Sequence, residues 1–117
     1  MDYDLYKAKL AKTEEMVDLF LSDKSCSDQS IGSFKSNLSQ CVSDDGSWDC
    51  FSLAWAALFR LCTKIENSRQ LAVAECIREE LLSDKAPERV EMLEDLDFEM
   101  MNAKMRVADS SEQSPKQ

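Results

Sequence analysis

The side chains best equipped for chemistry in this 117-residue chain are five cysteines, Cys26, Cys41, Cys50, Cys62 and Cys76, and twenty-three carboxylates, with no histidine. A structural zinc site needs ligands in pairs two to four residues apart. The cysteines here are separated by 15, 9, 12 and 14 positions, so scattered thiols are expected and no metal site. Asp44-Asp45-Gly46 resembles a fragment of a calcium loop. Aligned on the loop glycine, however, Cys41 falls at the first ligand position and Ser52 at the last, which is not the oxygen set calcium requires. Without histidine the usual general base at neutral pH is missing, and so are Ser-His and Cys-His nucleophile pairs. No glycine-rich phosphate loop occurs. The chain is therefore expected to be neither an enzyme nor the holder of a cofactor.

The carboxylates give a net charge of −9. The charge is uneven: Asp49 against Arg60 and Lys64 leaves residues 47–65 at +1, whereas 87–117 sets eight acids against four bases. Binding to phosphate backbones needs clustered Lys and Arg, so direct nucleic-acid binding is not expected. An anionic membrane surface is disfavoured by the same repulsion. The odd number of cysteines, and ten charges with no apolar run in residues 1–25, point to a reducing, cytoplasmic or nucleo-cytoplasmic location rather than secretion.

Two glycines and two prolines are too few for the turns of an all-β chain, so long helices are expected. Tyr3, Tyr6, Leu10, Thr13, Val17 and Phe20 repeat at alternating spacings of three and four, a helical stripe broadened by Leu5, Met16, Leu19 and Leu21. Ser27 or Asp28 caps a second helix through Ile31, Phe34, Leu38, Cys41 and Val42, which serines and Gly32 weaken. A turn at Asp44–Gly46 and an N-cap at Ser47 lead into Trp48–Ile65. Thirteen of those eighteen residues are apolar, which predicts a central helix buried on nearly all sides rather than a membrane span. Asn67 or Ser68 caps a fourth helix, with Gln70 placed as the return partner of a capping box. After a break at Ser83–Ala86, Pro87 opens a fifth helix carrying Val90, Leu93, Leu96, Met100, Ala103 and Val107. The expectation is an all-α, compact bundle of about five helices around residues 48–65. It forms one domain over 1–108, followed by a disordered polar tail, 109–117.

Function is then expected from surfaces. Five short helices must cover a very apolar middle, and the outer helices hold more apolar residues than one stripe uses. This points to a protein-interaction module that binds protein partners and self-associates. Val90, Leu93, Leu96, Phe98, Met100, Met101 and Met105 are the candidate partner-binding residues, since flexible thioethers suit adaptable surfaces. Tyr3, Tyr6, Leu10, Val17 and Phe20 are the candidates for self-association. Val90, Leu93, Leu96 and Phe98 also match the loose spacing of a leucine-rich export signal. The alternative function is an acidic mimic that blocks a basic nucleic-acid-binding site on another protein, through Glu88, Glu91, Glu94, Asp95, Asp97 and Glu99.

Overall fold

The computed structural model describes residues 3–42, 48–82 and 89–112, without the side chains of 42, 48–50 and 110–112. Among the described residues five α-helices follow one another: α1 (Tyr3–Ser22), α2 (Asp28–Val42), α3 (Trp48–Lys64), α4 (Ser68–Leu81) and α5 (Val90–Glu112). No strand occurs among the described residues. The expected turn and cap at 43–47, the break at 83–86 and the opening Pro87 lie outside the described residues, as does the tail from 113.

α3 is apolar around most of its circumference, with Ser52, Arg60, Thr63 and Lys64 gathered on one side, so the other helices pack around it. α3 packs against all four, while α1 and α5 each lie along it and barely touch one another. Phe51, Leu53, Ala54, Ala57, Leu58, Leu61 and Cys62 are buried, and Ile65 is buried just past the helix end. Trp55 and Phe59, 5.0 Å apart between ring centres, are only half-buried. The enclosure of α3 is therefore less complete than its composition predicts.

The caps follow the sequence with one adjustment. Ser27 caps α2: its Oγ accepts from the Ser30 N–H at 3.2 Å and its carbonyl from Ile31 at 2.9 Å. The turn before it runs through Cys26 at φ 49°, a left-handed conformation unusual for a residue with a Cβ; its N–H donates to the Asp23 carbonyl at 3.0 Å and its thiol is buried. Asn67 caps α4, accepting from the Gln70 N–H at 2.9 Å. The Gln70 side chain, itself buried, reaches one residue further back than a standard capping box and accepts from the Glu66 N–H at 2.8 Å. α5 runs to Glu112, four residues beyond the expected boundary at 108. Residues 109–112 contain neither Gly nor Pro, and extending an existing helix costs little once it is nucleated.

Candidate protein-binding surface

α5 is helical because residues 90–108 are drawn mostly from Leu, Met, Glu, Ala, Lys and Arg, with no Gly or Pro. Its 23 residues make a rod about 34 Å long. Leu96, Met100 and Ala103 are buried against α3, with Met92, Leu93 and Val107 partly buried beside them. That stripe fixes which way the rest of the helix points.

Polar contacts lock the same rotation at several heights. The Trp55 indole N–H donates to the Met92 carbonyl at 2.7 Å. Near the same end, the Arg89 guanidinium lies 4.5 Å over the Phe51 ring. Arg78 of α4 grips Asp97 through two bonds, 2.9 and 3.1 Å, and also donates to the Leu82 carbonyl at 2.9 Å. Lys104 meets Glu75 at 3.2 Å. Arg106 donates to the Cys62 and Ile65 carbonyls at 2.7 and 3.1 Å, supplying the end of α3 with donors it would otherwise lack.

With the helix held this way, a second apolar strip faces solvent. Val90 is 45% exposed, Phe98 61%, Met101 57% and Met105 59%. At 3.6 residues per turn this strip is about 140° around the helix from the buried one. Glu94 lies within it and Glu91 and Asp95 beside it, all exposed.

The candidate partner-binding residues therefore separate into two sets. Leu96 and Met100 belong to the interior, Leu93 packs against it, and Val90, Phe98, Met101 and Met105 remain available. The export-type pattern is divided the same way: Val90 and Phe98 point outward while Leu96 is fully buried. Of the acids of the mimic reading, Asp97 is held by Arg78, Glu99 is half-buried, and Glu88 lies outside the described residues.

The candidate self-association stripe on α1 needs correction. Val17 and Phe20 are core residues, with Phe20 stacked on Phe34 of α2 at 4.6 Å. Leu10 is half-buried against the core, and the Tyr6 hydroxyl shares a 2.8 Å hydrogen bond with Ser52 of α3. Of the five, only Tyr3 is largely exposed, with the Lys7 ammonium 5.2 Å from its ring centre. The seam is taken up by α3, held by the Arg60–Asp18 pair at 2.9 Å, whose guanidinium keeps the Asp18 carboxyl below its usual range.

Sequence reasoning missed what lies beside that seam. Leu19, read as part of the packing face, is 74% exposed, and Leu5 is 55% exposed. Leu19 and Met16 border an open groove of about 560 Å³ between α1 and α2, with Lys9, Lys12 and Glu15 on the α1 side and Asn37, Gln40 and Cys41 on the α2 side. The signal was an apolar arc on α1 wider than the short polar side chains of α2 can cover.

Chemistry elsewhere is sparse. Cys26, Cys62 and Cys76 are thiols outside any disulfide. Burial pushes the Cys62 thiol up to about 12 and raises that of Cys26 as well. Cys76 accepts from the Lys35 ammonium and donates to Glu80, both at 3.2 Å, a contact that ties α2 to α4. Among the described residues no group of three or more potential ligands is placed to hold a metal ion, and no helix is long and apolar enough to cross a membrane. No protein-family model matches the chain, no curated protein matches it, and no solved structure matches it.

Proposed function

We propose that this chain is a non-catalytic protein–protein interaction module whose binding surface is the outward strip of α5. One observation carries the reading: Phe98, Met101 and Met105 stand exposed in a line on a helix whose opposite side is fixed to the core. Phe98, Met101 and Met105 form an apolar run with Glu94 on its Val90 side and Glu91 and Asp95 beside it, and aromatic and methionine side chains bordered by charge suit an interface. Our reading includes a cytoplasmic site of action, supported by an odd number of cysteines and by the free, buried thiols of Cys26 and Cys62.

The test is a double substitution, Phe98→Glu with Met101→Glu. Both positions are exposed, so the helical circular dichroism spectrum is expected to survive. Quantitative affinity capture and sedimentation are then compared with the wild type. Loss of a bound species, whether another protein or a further copy of the chain, is the expected result. An unchanged set of captured proteins together with unchanged sedimentation overturns the reading.

A further inference from the structure

Among the described residues, two exposed apolar features have opposite forms. One is the ridge on α5, with Phe98 and Met101 at its crest and Glu91, Glu94 and Asp95 around it. The other is the α1–α2 groove, where Met16 and Leu19 form the apolar wall and Lys9 and Lys12 stand at the lip with Glu15. A smaller pocket sharing Met16 and Leu19 continues the groove toward Phe34, so its apolar surface extends along the helix pair.

We infer that the occupant of the α5 ridge is the α1–α2 groove of a second copy of this chain. This rests on the reading of α5 as a binding surface and assigns its partner. Three observations favour that pairing. The forms suit one another, a convex line of long flexible side chains on α5 and an open groove with Met16 and Leu19 on its α1 wall. The charges are complementary as well: Glu91, Glu94 and Asp95 are exposed on and beside the ridge, and in a chain of net charge −9 the described lining of the groove sets Lys9 and Lys12 against Glu15. Finally, α1 and α5 lie along α3 and barely touch, so one chain's ridge is not already seated in its own groove.

A symmetric ridge-to-ridge pairing fits less well. It would bring Glu91, Glu94 and Asp95 of both copies to one interface, and the nearby cations Lys104 and Arg106 are engaged with Glu75 and the end of α3. The ridge-to-groove contact is heterologous: each added copy presents a new ridge and a new groove. Association therefore proceeds beyond a dimer unless the rotation closes a ring.

Mixing two variants tests this. One is the ridge variant Phe98→Glu/Met101→Glu, the other the groove variant Leu19→Glu/Lys12→Glu, each first checked for wild-type helicity. In sedimentation velocity over a rising micromolar range, the wild type is expected to increase in mass with concentration. Each variant alone should remain monomeric, its dissociation constant raised at least about tenfold. An equimolar mixture should give one heterodimer and nothing larger, because the intact ridge of one meets the intact groove of the other and only broken surfaces remain. A groove variant that still self-associates as the wild type does, or a mixture that stays monomeric, overturns the inference. A wild type that is monomeric throughout also overturns it. If the ridge variant then still loses a captured foreign protein, the α5 reading itself stands; if it loses nothing, both fall.

Discussion

Leu96 and Phe98 are two residues apart on one helix, and the structure assigns them opposite consequences. Leu96 is fully buried between α5 and α3, so Leu96→Ala removes a core side chain and leaves a cavity, at about 2–5 kcal/mol. For a chain of this length the unfolding entropy near the midpoint corresponds to about 4 °C per kcal/mol, which gives a fall in Tm of about 8–20 °C. Phe98 is 61% exposed, so less than half of the roughly 1.5–3 kcal/mol available from burying such a side chain is at stake. Alanine returns about 0.5 kcal/mol of helix propensity, leaving Phe98→Ala within about 1 kcal/mol of the wild type. Thermal melts followed by circular dichroism measure both, at concentrations low enough that association adds no stability. If Phe98→Ala lowers Tm as much as Leu96→Ala, the orientation assigned to α5 is wrong and its outward strip is not a free surface.

Other substitutions probe the elements that hold this arrangement. A Cβ at Gly32, exposed on α2, meets nothing within 4 Å, so Gly32→Ala should raise stability by about 0.5–1 kcal/mol, seen as a higher Tm; a lower one would contradict the open site. Arg106→Met withdraws two charge-assisted bonds from the carbonyls of Cys62 and Ile65, and should cost about 1–2 kcal/mol with faster amide exchange in the last turn of α3. The Cys62 thiol, held at about 12 when folded, ionises near 9.0 when unfolded, so only the unfolded state loses that proton in between. Its contribution is complete below that lower value and is lost as pH rises toward the upper one. Denaturant titrations across that window should show the wild type losing stability about 1 kcal/mol per pH unit faster than Cys62→Ala, and parallel curves would refute the assignment.

Much of the fold is legible in the residues because each helix carries an apolar repeat at three-four spacing, and only its partner remains to be found. The Asn67 cap was readable for the same reason, since a short side chain before an apolar run has few other uses. What spacing cannot reveal is which of two stripes on one helix is buried. Tyr6, Leu10, Val17 and Phe20 look as suitable for a second copy as for α3, and the choice depends on where the long apolar face of α3 must be covered. On α5 the spacing does set Phe98 off the Leu93–Leu96–Met100 stripe, but it leaves open which side binds, so residues from two strips about 140° apart stand together as partner-binding candidates. The groove was invisible because it depends on what α2 fails to cover, a property of two helices together. The extension of α5 to Glu112 was missed because Asp and Ser suggest a stop by propensity, while cooperativity within a long helix overrides single residues.

The most direct measurement of the central claim is photo-crosslinking from the ridge itself. With Phe98 replaced by p-benzoylphenylalanine, irradiation should join the chain covalently to a second polypeptide, with crosslinked peptides drawn from the α1–α2 groove around Leu19. The same group at Lys24, whose side chain is 80% exposed but lies on neither surface, should give no such adduct. If position 98 yields no more intermolecular product than position 24, the outward strip of α5 is ordinary solvent-facing surface, and its reading as a binding surface is contradicted.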